Sequence, residues 1–278
     1  MMLQRQGLFR HEDANIPLRA TDATQRRFRS DAGRRFCGKL RGARVTEGRA
    51  HSRMHELKLA IFDVAGTVIE DHGEVVSSLV DSLAAHGIGV GSEELVEFKG
   101  AAKREVIRFF GWRKRNEPLN DAAVEAVYAD FVRLVNGRYE EHLAPIEGAE
   151  EVFESLRKRG MQLALTTGFG EPTLELVVRR LGWQEWFATT VSSDEVEVGR
   201  PAPYLIFRAM ERCRCRSVHE VVNVGDTPLD LQSAANAGVA LNVGVLSGQY
   251  RRERLLCEPQ DALLATIADL PTLLAQRE

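Results

Sequence analysis

The stretch FDVAGTVIED, Phe62 to Asp71, decides how this chain is read. It follows LKLAIF (57–62), a short apolar run that ends at an acid, as a buried parallel strand does. Gly66-Thr67 then supplies a turn, so Asp63 is expected at the carboxyl end of a strand, where open α/β sheets bind ligands. Two residues on, at a position able to share Asp63's surroundings, stands Ala65, which carries no acid or base.

Downstream, the same alternation continues. MQLALTT (161–167), the stretch around FATTVSS (187–193), EVVNVGD (220–226) and VALNVGV (239–245) read as strands. Helical spacing runs through 148–159, 171–181, 203–213 and 228–237. This order predicts an α/β fold with a Rossmann-like parallel sheet covered on both faces. Asp63, Thr167 and Asp226 then share the carboxyl ends of the strands. Residues 73–144 break the alternation: EVVSSLVDSLAAHGI, EELVEF, KREVIRFFGW and AAVEAVYADFVRLVNGRYEEHL are helical in spacing, and APIEG (144–148) marks the return. The expected organisation is a core of 54–72 and 145–278 with a helical cap of 73–144.

The 278 residues are 44% hydrophobic and 28% charged, the composition of an ordinary globular chain with ample length for a packed core. No apolar run approaches the ~20 residues of a membrane helix. Cys37, Cys213, Cys215 and Cys257 are too few and scattered for a disulfide framework, which predicts reduced thiols and a cytoplasmic location. The net charge of −3 hides an asymmetry: residues 1–53 carry 13 Lys and Arg against 5 Asp and Glu, and the rest carries 24 against 35. That first segment lacks hydrophobic periodicity and reads as a disordered basic extension. Met54, just before the first strand, is the expected true start, and no nucleic-acid or membrane partner is expected.

The residues then suggest chemistry. A carboxylate at Asp63 can attack phosphorus, dividing one displacement into two easier ones; the bland reading is an Asp that caps a turn. GDTPLD (225–230) sets Asp226 at a strand end and Asp230 one helical turn on, so both can converge with Asp63 on a hard cation such as Mg²⁺. Thr167 and Arg200 are placed to hold phosphoryl oxygens, the guanidinium in a fork.

Asp63-Val64-Ala65-Gly66-Thr67, Thr167-Gly168, Arg200-Pro201 and Gly225-Asp226-Thr227-Pro228-Leu229-Asp230 come in the order of the haloacid dehalogenase (HAD) superfamily, which the chain resembles from 57 to about 270. The helical insertion falls where that superfamily has its C1 cap. Within it the chain looks most like phosphonoacetaldehyde hydrolase (phosphonatase) and its relatives, which share Asp-x-Ala-Gly-Thr, an Arg in place of the usual Lys, and a cap lysine. The resemblance implies Mg²⁺ on Asp63, the Ala65 carbonyl and Asp226, with Asp230 assisting. It implies phosphate contacts from Thr167, Gly168 and Arg200. It also matches Gly100-x-x-Lys103 to the motif whose lysine forms a Schiff base, with Lys99 and Phe169 lining the substrate pocket.

Such a lysine would explain Ala65. When a P–C bond beside a carbonyl breaks, the carbanion needs an electron sink, and an iminium on Lys103 supplies one. Lys99, if its helix reaches back that far, lies one turn before Lys103 and helps burial lower its pKa. The family's His three residues after the lysine is Val106 here, its Met before the Gly is Lys99, and its Tyr after Thr-Gly is Phe169. His72 is the alternative proton source. The expected function is thus P–C cleavage of a small 2-oxoalkylphosphonate, with phosphoglycolate-type phosphomonoester hydrolysis as the alternative and a silent phosphate-binding module as a third. A homodimer through the aromatic cap segments 109–112 and 128–139 is a further expectation.

Overall fold

Leu59–Phe62 forms the central strand, β1, and all four side chains are fully buried. Because side chains alternate along a strand, Ala60 and Phe62 enter one apolar cluster while Leu59 and Ile61 enter another on the opposite face. The computed structural model describes residues 56–277. The basic extension, Met54 and Cys37 lie outside them.

Five more strands follow: β2 (Gln162–Thr166), β3 (Thr189–Val191), β4 (Val221–Gly225), β5 (Leu241–Val245) and β6 (Ala262–Leu264). They pair in the order β3-β2-β1-β4-β5-β6, every pair parallel. The expected Rossmann-like sheet is present, with one strand more than the sequence suggested. β6 has three half-buried residues at an edge, too short to show a period.

Between β1 and the chain's return lie α1 (Glu74–Ala85), α2 (Ser92–Val96), α3 (Lys103–Arg115) and α4 (Asp121–Glu141). The core helices are α5 (Ala149–Lys158), α6 (Glu171–Arg180), α7 (Tyr204–Arg212), α8 (Pro228–Ala237), α9 (Arg252–Leu255) and α10 (Leu270–Ala275). α5 and α6 pack with Phe62 on one face through Phe153, Leu156 and Val177. α7 and α8 pack with Ile61 on the other through Leu205, Ile206 and Ala234. The helical insertion is closed at its base, where Glu70 N–H donates to Ala144 carbonyl (3.0 Å) and Ile146 N–H to Val68 carbonyl (2.9 Å).

Three expectations meet the structure here. Lys99 is not on a helix with Lys103: α3 begins at Lys103 after an extended Ala102, and Lys99 sits in the turn that follows α2. The aromatics expected to face a second copy are largely used within this chain, since Phe110, Phe131 and Tyr139 are buried. His72 is exposed and paired with Glu70, and it does not line the cavity that Asp71 beside it enters. Among the described residues no helix is long and apolar enough to cross a membrane.

Candidate active site

Strand register sets the site. Phe62 is aligned with Leu165 of β2 and Val224 of β4. The next residues out, Asp63, Thr166 and Gly225, therefore share a level, and Thr167 and Asp226 stand one step beyond. Asp63 N–H is still held by the Val224 carbonyl at 2.9 Å, so the nucleophile candidate is fixed to the sheet.

Asp63, Asp226 and Asp230 are all buried, with carboxylate oxygens within 4.8 Å of one another. Thr227 caps α8, donating from its hydroxyl (2.6 Å) and N–H (3.0 Å) to Asp230 Oδ2. Thr67 hydroxyl donates to Asp226 Oδ1 at 3.1 Å, while Asp226 Oδ2 is buried with no hydrogen-bond partner among the described residues. Burial first, then the charges of Asp63 and Asp230, push the Asp226 carboxyl well above its ordinary range. Burial also raises Asp230, to about 6, against the opposing pull of Arg200. Clustered carboxylates of this kind repel unless a cation or a proton intervenes. An oxygen-only set with a partnerless buried oxygen fits a hard divalent cation.

Arg200 is buried and stands between two of the three acids. Its Nη1 donates to Asp63 Oδ1 at 2.6 Å and lies 2.8 Å from Asp230 Oδ1, the latter without hydrogen-bond alignment. Its Nη2 donates to the carbonyl and hydroxyl of Thr166 at 3.0 and 2.8 Å. The guanidinium expected to hold phosphate is thus aimed at Asp63, the nucleophile candidate, and anchored to β2.

The insertion covers this cluster through glycines. Gly100 has φ +83°, and a Cβ there would lie 2.6 Å from Thr227 Oγ1. A Cβ on Gly168 would lie 2.6 Å from the Ala101 carbonyl. Only glycine allows the 100–101 turn to rest on both α8's start and the β2 loop. This contact delivers Lys103 to the site. Its side chain is buried, donates to the Ala101 carbonyl at 2.8 Å and lies 5.4 Å from the centroid of the Phe169 ring. Burial, with smaller contributions from Arg200 and Lys99, lowers its pKa to about 8, against the opposing charges of Asp63 and Asp71.

Asp63, Ala65, Lys99, Gly100, Lys103, Thr167, Gly168 and Phe169 line one cavity of about 20 Å³. All the expected pocket residues meet there except Arg200, Asp226 and Asp230, which sit directly beneath Asp63. Asp71 and Thr227 line it as well and were not anticipated. Asp71 is buried and ion-paired with Lys99 across 28 residues of sequence. Burial alone would raise its pKa, but Lys99 and the Gly73 N–H outweigh that and lower it. The signal was a lysine expected in a closed pocket, which calls for a counter-charge.

The geometry now stands beside known proteins. A family profile described as haloacid dehalogenase-like hydrolase matches residues 57–238. A phosphonoacetaldehyde hydrolase of Nitratidesulfovibrio vulgaris is 31% identical over 202 residues, covering 68% of this chain and 71% of its own. One from Bacillus cereus is 28% identical over 207 residues, covering 69% and 77%. Among solved structures, a phosphonoacetaldehyde hydrolase-like protein from Oleispira antarctica superposes with a TM-score of 0.71 at 22% identity, over 80% of this chain and 93% of its own. Sheet order, acidic cluster and matched span agree: the chain belongs to the haloacid dehalogenase-like hydrolases.

Proposed function

We propose that this hydrolase is phosphonatase-like and cleaves the P–C bond of a small 2-oxoalkylphosphonate resembling phosphonoacetaldehyde. The observation that carries this reading is Lys103. It is buried in the cavity that holds Asp63, with its pKa lowered to about 8, beside Ala65 where an acid would be needed to protonate an alkoxide. The names of the relatives that cover most of the chain point the same way.

Each part has a task in this reading. Lys103, as a free amine, adds to the substrate carbonyl and loses water to give an iminium. Asp63 attacks phosphorus; the P–C electron pair moves toward the iminium nitrogen, and the carbon fragment leaves as an enamine. The phosphoryl group stays on Asp63 until water releases it as phosphate. Arg200 orients Asp63 and, with Thr167 and Gly168, faces the phosphoryl oxygens. Mg²⁺, held by Asp63, Asp226 and the Ala65 carbonyl with Asp230 assisting, would supply charge that offsets repulsion between carboxylate and phosphonate. The helical insertion acts as a cap, and it must part from the sheet for a substrate to enter a cavity this small.

A second reading rests on one contact: Lys103 Nζ donates to the Ala101 carbonyl, a geometry equally suited to a fixed ammonium that binds a phosphomonoester. Phosphate release from phosphonoacetaldehyde and from phosphoglycolate, measured for the wild type and A65D, separates the two. The phosphonatase reading expects release from the phosphonate alone, lowered in A65D. Release from the phosphomonoester, raised in A65D, would overturn it.

A further inference from the structure

An enamine formed on Lys103 must take a proton on carbon before the iminium can be hydrolysed. This need rests on the reading just proposed. The four titratable side chains that line the cavity are Asp63, Asp71, Lys99 and Lys103. Asp63 carries the phosphoryl group at that stage and Lys103 carries the enamine. Phe169, which also lines the cavity, has no proton to give. His72 is exposed and paired outside the cavity. The Asp71–Lys99 pair remains.

The geometry points to Lys99 as the catalytic acid that protonates the enamine carbon, with Asp71 as the positioning residue that holds its ammonium in the cavity. Lys99 Nζ donates to Asp71 Oδ2, and both side chains are almost fully buried, at 4% and 0% exposure. An ammonium has three N–H groups, and among the described residues Asp71 Oδ2 is its one hydrogen-bonded acceptor. The others are free for a substrate atom. Asp71 is in turn fixed by the Gly73 N–H to its Oδ1 (3.0 Å) and by Gln249, which donates to its backbone carbonyl (3.2 Å). Lys99 comes from the insertion and Asp71 from the segment after β1, so the pair forms only when the insertion lies against the sheet.

The step balances. The Lys99 ammonium gives its proton to the terminal carbon of the enamine, whose C=C pair forms the new C–H bond. The Lys103 nitrogen returns to an iminium, and Lys99 becomes a neutral amine. Water adds to the iminium carbon, the C–N bond breaks, and the carbonyl product leaves. The proton freed by that water restores the Lys99 ammonium.

The test uses phosphonoacetaldehyde with Mg²⁺, comparing the first-turnover burst of acid-quenched phosphate with steady-state release of the carbonyl product. K99Q should keep a burst of full amplitude, slowed only as far as Lys103 loses its neighbour's charge, while steady-state turnover falls by about 10²–10³-fold. D71N/K99Q, which leaves no unpaired buried charge, should behave alike and covers the case in which K99Q fails to fold. Y139F should match the wild type, because the Tyr139 hydroxyl does not line the cavity. A raised KM with unchanged kcat in K99Q would make Lys99 a binding residue and overturn the inference, as would loss of the burst together with turnover, or a Y139F defect confined to product release. Failure of the wild type to release phosphate from the phosphonate would instead remove the enamine, and with it both this inference and the reading beneath it.

Discussion

Arg200 Nη1 donates a 2.6 Å hydrogen bond to Asp63 Oδ1, and both side chains are almost completely buried. The contact makes the arginine part of the surroundings of the proposed nucleophile as well as a candidate phosphate ligand. R200K keeps a charge but loses the fork that reaches Asp63 and Thr166 together. Its phosphate release should fall by about 10²-fold, because a displaced nucleophile loses its line of attack. R200A leaves three clustered carboxylates without their cation, which should cost roughly 3–5 kcal/mol of stability. Steady-state kinetics and urea unfolding check the two effects.

Repulsion among the acids gives a pH signature. The Asp230 pKa is raised in the folded chain, from 3.8 to about 6. Between those values the folded state binds more protons than the unfolded one, so this group adds stability as pH falls through 6 and works against it above. In the presence of a chelator, D230N should melt higher than the wild type above about pH 6. The gap should close as the pH approaches 4. A gap that widens on acidification would contradict the assignment.

Lys103 gives a second profile of opposite use. If its free amine is the nucleophile, the rate of adduct formation should rise tenfold per pH unit below about 8 and level off above it. Rapid-quench trapping across pH 6–10 measures this. K103R keeps a cation that cannot condense with a carbonyl, and it should lose phosphonate cleavage by at least about 10³-fold.

Gly100 tests how the insertion meets the sheet. G100A places a methyl 2.6 Å from Thr227 Oγ1 at a φ of +83°, where side chains cost roughly 1–2 kcal/mol even in open space. Such a change should disturb the seating of Lys103 more than the core. Turnover should fall steeply while the thermal midpoint moves by only a few degrees.

Much of this was legible from the sequence, for physical reasons. β1, β2 and β4 are buried apolar runs ending in polar residues, so their carboxyl ends and Asp63, Thr167 and Asp226 could be placed at once. α8 was equally clear, because Thr227 and Asp230 cap it and Pro228 opens it. Less was visible where local signals fail. β6 is three half-buried residues, and the start of α3 has no capping side chain, only Ala102 in an extended conformation. Whether that helix reached back to Lys99 was therefore left open by the sequence, and it does not. Asp71 was overlooked although it closes the stretch that fixed the fold, since its partner lies 28 residues away and only the folded insertion brings them together.

The central claim is that Lys103 becomes covalently attached to substrate. Incubation with phosphonoacetaldehyde and Mg²⁺, borohydride reduction and peptide mass analysis test it most directly. The account predicts an added mass on the peptide containing Lys103, absent in K103R and accompanied by phosphate release in the unreduced reaction. Phosphate release with no adduct at Lys103 would contradict it.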